Sequence, residues 1–120
     1  MSALRIKSTR IETKRFRVSS DFSGSLLTGD GTRQLRVRAV DVSRRGFGFI
    51  ASEALQIGRH MWLEVGGHKL KVEVAYCESH LGIDHMYKCG VFVRDLDINL
   101  ESLFGQYGWL AEAISNDQAS

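Results

Sequence analysis

Three stretches of this chain alternate apolar and polar residues with a period of two, and nothing else in the sequence limits the fold as strongly. Met61, Leu63 and Val65 alternate with Trp62 and Glu64. After Gly66-Gly67, the residues Leu70, Val72, Val74 and Tyr76 alternate with Lys69, Lys71 and Glu73. Beyond a loop over residues 78–85, Tyr87, Cys89, Val91 and Val93 alternate with Lys88, Gly90 and Arg94. Successive side chains on a strand point to opposite faces, so this pattern predicts strands with one face in a core and one in water. Gly66-Gly67 tolerates the positive φ of a tight hairpin. The chain has no proline, which suits paired strands because proline removes a ladder donor.

The first half continues the theme. Arg15 and Arg17 alternate with Phe16 and Val18, and residues 22–27 read as strand. Asp30-Gly31 sits in a turn, and Leu35, Val37 and Ala39 alternate with Arg36 and Arg38. Phe47, Phe49 and Ile50 form a third apolar run around Gly48, which marks a bulge or a close approach. After Arg94 the period changes. Leu100, Leu103, Phe104, Tyr107, Leu110, Ala111 and Ile114 fall at helical spacing, with Asp97 or Asn99 as the cap and with Gly105 and Gly108 weakening the helix. Five or six antiparallel strands and one terminal helix predict a mainly β domain, a small closed antiparallel barrel carrying a C-terminal α-helix. Residues 1–13 are polar and basic and read as a flexible leader, 14–116 as one domain, and 117–120 as a tail.

At 120 residues the chain suits one domain that needs neither metal nor disulfide to fold. Its start lacks the apolar segment of a secretory signal, and no 18-residue apolar run is present, so the expectation is a cytoplasmic protein without a membrane span. Cys77 and Cys89 read as free buried thiols, with a disulfide open to them if their strands are neighbours. The net charge is +2, but the bases crowd the N-terminal half, and every charged residue after Arg94 is acidic. Such asymmetry fits either a solvated basic face or a site for an anion. No catalytic constellation is visible. His60, His68, His80 and His85 are scattered, and no His-Glu-x-x-His spacing, cysteine pair or phosphate-binding glycine loop occurs. Ser43 stands near Asp41 without a histidine in the motif, so a nucleophile reading fails and the expectation is that this is not an enzyme. Trp62 and Trp109 read as packing residues rather than ligand platforms.

The polar residues that stand out are Lys14, Arg15 and Arg17 at the first strand and Asp41-Val42-Ser43-Arg44-Arg45-Gly46 between two apolar runs. Asp41 supplies an acceptor, Ser43 a hydroxyl, and Gly46 room for close approach. Two readings stay open: a turn whose Asp and Ser bond only their own backbone, and a corner for a small anionic ligand. The sequence here resembles the PilZ domain family of bacterial cyclic di-GMP receptors. That pattern is Arg-x-x-x-Arg followed by Asp/Asn-x-Ser-x-x-Gly. The second motif is matched by Asp41, Ser43 and Gly46. Residues 87–97 are similar to the family's last strand and helix lead-in. The first motif departs: Arg17 takes the second arginine's place, and Thr13 stands four positions before it. Lys14 with Arg15 is the substitute we favour, while an Arg10/Lys14 register leaves Arg17 without a role.

The resemblance implies a six-stranded split barrel and cyclic di-GMP binding by Lys14, Arg15, Arg17, Asp41, Ser43 and Gly46, with no other cofactor. It implies second-messenger signalling to an unidentified effector protein in motility or biofilm control, without DNA or RNA as partner. A guanidinium fork matches guanine O6/N7 or phosphate oxygens and stacks on a purine, and a carboxylate accepts from guanine N1 and N2. Two rivals stand beside it. One is a ligand-independent adaptor of the same fold in motility, pilus or exopolysaccharide machinery, motivated by the departed first motif. The other is a barrel that binds single-stranded nucleic acid through the same arginines.

Overall fold

The computed structural model describes residues 14–114. The basic leader over 1–13 and the tail over 117–120 lie outside the described residues. Nine strands and one short helix follow in order: β1 (Arg15–Val18), β2 (Ser25–Leu27), β3 (Gln34–Leu35), β4 (Val37–Ser43), β5 (Gly46–Ala51), β6 (His60–Val65), β7 (His68–Ser79), β8 (Tyr87–Val93), α1 (Leu100–Gln106) and β9 (Leu110–Ile114). The protein is therefore mainly β, as the alternation predicts. The strands form one antiparallel sheet in the order β3-β2-β6-β7-β8-β5-β4-β1-β9. This sheet has nine strands rather than six, and it is open, because β3 and β9 stand at its two ends.

One core serves the whole sheet. Leu26 and Leu35 near one end of the strand order join the same cluster as Val18 and Leu110 near the other. The sheet must therefore curl around Phe47, Phe49, Met61, Leu63, Val91 and Phe104, all at most 1–2 % exposed. Aromatic rings fill the centre: Phe22 lies 5.5 Å from Phe47, 5.4 Å from Phe104 and 5.0 Å from Trp109. Phe22 belongs to the loop before β2, so the strand expected over 22–27 is shorter and its first aromatic is a plug instead.

The helix is also shorter than its periodicity predicts. Asn99 caps it by accepting from the Ser102 amide at 3.1 Å, one of the two caps anticipated. It then stops at Gln106. Gly108 adopts φ +74°, its amide bonds to Gly105 O at 3.1 Å, and the Trp109 amide bonds to Phe104 O at 3.0 Å. That pair of bonds is a Schellman termination, completed by the Phe104–Trp109 ring contact at 5.8 Å. Leu110–Ile114, expected as the last helical turns, becomes β9 and pairs with β1. The edge of β1 needs a partner for its backbone groups, and this tertiary demand overrides the helical spacing.

Cys77 and Cys89 face each other on neighbouring strands with Sγ atoms 3.2 Å apart, both as free thiols. Burial first, and then the hydrogen bond to Cys77, pushes the Cys89 thiol up from 9.0 to about 12. Cys89 is thus a protonated core residue at neutral pH. Among the described residues no helix is long and apolar enough to cross a membrane.

The β6–β7 hairpin turns at the predicted glycine pair, and the two glycines do different work. Gly66 has φ +59°, and a Cβ on it would strike the Tyr107 ring. Gly67 has open space around its Cβ position and no positive φ. Gly66→Ala is expected to destabilise by about 1–3 kcal/mol and Gly67→Ala by less than about 1 kcal/mol, read by urea denaturation. Equal effects would contradict this assignment of the turn.

Candidate functional site

The face of the sheet that looks away from the core carries the polar residues. Pairing across β1, β4, β5, β8 and β7 fixes who shares it. Phe16, Val42, Phe47, Val91 and Val74 point into the core as one row. The residues between them point out. Along β4 this phase depends on a bulge: Ala39 pairs with Phe49 and Asp41 with Gly48, leaving Val40 as the extra residue. Without it, Asp41 would follow Ala39 inward, because residues two apart share a face. The bulge turns Asp41 and Ser43 to the outer face while Val42 enters the core.

The corner is built from both sides of the β1–β4 pair. Arg15 is in register with Ser43, and Arg17 with Asp41. The Arg15 guanidinium donates to Asp41 Oδ1 at 2.6 Å, with side-chain exposures of 33 % and 13 %. The bond is charge-assisted, a class shorter and stronger than neutral hydrogen bonds. Ser43 is buried, and its hydroxyl accepts from the Gly46 amide at 3.1 Å. A Cβ on Gly46 would sit 3.3 Å from Ser43 Oγ and 3.7 Å from Arg15 Nη1. Arg15, Asp41, Ser43 and Gly46 are therefore brought together. Ser43 makes the local turn bond, whereas Asp41 reaches across strands to an arginine.

The remaining predicted residues are less convergent. Arg17 lies beside Asp41 in register, but its Nε is 3.7 Å from Glu112 on β9, and both side chains are well exposed. Lys14 is exposed just before β1. Other arginines of the N-terminal half turn to partners away from Asp41. Arg33 forms a two-pronged pair with Glu53 at 3.0–3.1 Å, and Arg45 donates to Val93 O. Among the described residues only Arg15 pairs with the Asp41 carboxylate. Among the described residues no three His, Cys, Asp or Glu side chains converge as a metal site requires.

Two outward glycines extend the corner. Asp41 pairs with Gly48, Gly48 with Gly90, and Gly90 with Tyr76. A Cβ on Gly48 would strike Asp41, and one on Gly90 would strike the Tyr76 ring, so both side chains lie flat on bare backbone. Lys88 links the two ends, with Nζ 2.8 Å from Tyr76 Oη and 3.4 Å from the Gly48 Cβ position. Tyr76 is a correction to the alternation, which puts it with Val74. A second bulge, at Ala75, turns it outward.

A groove of about 850 Å³ adjoins the corner on the same face. Gly46 pairs with Phe92, Phe92 with Glu73, and Glu73 with His60. Trp62, Lys71, Glu73, Phe92 and Arg94 line it. Arg94 grips Glu73 at 2.7 and 3.3 Å, and that bond first, then its charge and that of His60, holds the Glu73 carboxyl below its usual range. Trp109 is a packing residue as expected, but Trp62 is half-buried and faces this groove. The sequence offered one hint, an indole on the polar phase of β6.

If the Arg15–Asp41 pair forms in solution, a double-mutant cycle with Arg15→Met and Asp41→Asn will give a coupling of about 0.5–1.5 kcal/mol that shrinks in 1 M salt. Zero coupling at low salt would show that the two do not interact. No protein-family model, no curated protein and no solved structure matches this chain.

Proposed function

We propose that this protein is a PilZ-type receptor for cyclic di-GMP, acting on an effector protein rather than as an enzyme. One observation carries the reading: an arginine fork and a carboxylate lie over a buried serine and a bare glycine on the outer face of the sheet. Those groups match a guanine edge and a phosphate. The carboxylate accepts from N1 and N2, the fork donates to O6/N7 or a phosphate, and Gly46 lets a flat base lie close. In this reading the six strands of four or more residues that precede the helix, β1 and β4 to β8, make the barrel of the family, with β2, β3 and β9 as additions.

The chemistry is an exchange. Asp41 is occupied by Arg15, so a guanine that takes the carboxylate frees the fork for its own O6 or for a phosphate. Charge is conserved in the swap, and little of the desolvation cost is added because both groups are already partly dry. Arg17 and Lys14 supply further cation at the margin. The moving arginine alters the surface at β1, which a partner protein can read.

A ligand-independent adaptor is the second reading, and one observation favours it. Arg15 and Arg17 already have acidic neighbours, Asp41 and Glu112, so the cations are balanced without a ligand.

Calorimetric titration of the full chain with cyclic di-GMP, with GMP as control, separates the two. The receptor reading expects saturable binding at roughly micromolar affinity or tighter, weakened about tenfold or more by Asp41→Ala and by Arg15→Ala. Variants that bind as well as the parent would remove the assigned site. Absence of heat and of any thermal shift with the parent would favour the adaptor.

A further inference from the structure

We propose that the groove beyond Phe92 is the second half of the dinucleotide site, in which Trp62 and Phe92 take the guanine that the Asp41 corner does not, and Lys71 and Arg94 face its phosphate. This rests on the receptor reading and assigns that ligand's far end.

Three features carry it. The first is continuity. Gly46 of the corner is in register with Phe92 of the groove, and Phe92 with Glu73. From Gly46 on β5 it is one strand spacing, about 5 Å, to Phe92 on β8 and three, about 14 Å, to Trp62 on β6, along one outward face. A ligand with a base at each end can rest on both. The second is the lining. Trp62 and Phe92 each carry a cation against the ring, Lys69 Nζ at 5.2 Å and the Arg94 guanidinium at 5.4 Å. Purines stack on indole, phenyl and guanidinium planes alike, so every one of these surfaces accepts a base. The third is charge. The groove is lined by Lys69, Lys71 and Arg94 against Glu73 and Asp95, and Glu73 is already bound by Arg94. An anion therefore meets a surplus of cation. A volume of about 850 Å³ lies within the range of small-molecule sites.

The arrangement also says what an apolar or peptide partner would lack. The groove's aromatic area is broken by cations at each ring, which suits a flat, charged heterocycle better than an aliphatic side chain.

The chain has two tryptophans, Trp109 in the core and Trp62 facing the groove, so a ligand-dependent emission change that is lost in Trp62→Leu reports on the groove. The full chain is titrated with cyclic di-GMP by calorimetry and by tryptophan fluorescence, alongside Asp41→Ala, Lys71→Met and Trp62→Leu, each checked by thermal melting. The proposal expects a ligand-dependent change in Trp62 emission, and at least about fivefold weaker binding for both Lys71→Met and Trp62→Leu. Lys71 is exposed, so its variant reads binding even if Trp62→Leu disturbs the loop that Trp62 bonds through Gly29 O. Parent binding that Asp41→Ala weakens, with no emission change and no effect of either groove variant, overturns the extension and leaves the receptor reading intact. A parent that does not bind overturns both.

Discussion

Two extra residues, Val40 in β4 and Ala75 in β7, decide which side chains this sheet shows to water. A strand has only two faces, so one unpaired residue reverses every assignment beyond it. Upstream of Val40 the inward residues are Val37 and Ala39, and downstream the inward residue is Val42. Asp41 and Ser43 are outward for that reason alone. The bulge at Ala75 does the same for Tyr76, which lies on Gly90 instead of entering the core. The apolar cost of each slip is small, because the core beneath is sealed by Phe47, Phe49, Val74 and Val91.

Once those phases are set, the outer face acquires a consistent character. Gly46, Gly48 and Gly90 leave bare backbone in the middle strands, and longer polar side chains from the flanking strands fold over it. Arg15 with Asp41 covers one glycine strip, and Tyr76 with Lys88 the other. Toward β6 and β7 the cover opens into the groove lined by Phe92, Trp62 and Arg94. A surface built from side chains lying on glycine can exchange those side chains for a flat ligand without disturbing the core, and this links the fold to the proposed recognition.

Much of this was legible in the sequence, and the gaps have physical causes. Alternation over 61–65, 69–76 and 87–93 predicts β6, β7 and β8 directly, and the Gly66-Gly67 turn follows from its chemistry. The Asp41, Ser43, Gly46 grouping is local in sequence, so the fold keeps those residues together. The apparent helix over 107–114 is different. Its spacing is helical, yet Gly108 turns the chain by a Schellman bond pair and β1 captures the rest as β9. Strand pairing is a property of two segments, and no single window contains it. That Lys88, Tyr76, Phe92 and Trp62 share one face is hidden from the sequence for the same reason. Their neighbourhood depends on register across four strands and on a bulge that composition does not mark.

The central claim is that two adjacent outward rows, Asp41-Gly48-Gly90 and Gly46-Phe92-Glu73, make one ligand face. Backbone amide shift mapping by NMR during titration with cyclic di-GMP tests it most directly. The account predicts perturbations at Arg15, Asp41, Gly46 and Gly48 that continue to Phe92, Lys71 and Trp62, with core-facing neighbours on β2 and β3 unmoved. Perturbations confined to another surface, or a spectrum unchanged at saturating ligand, would contradict it.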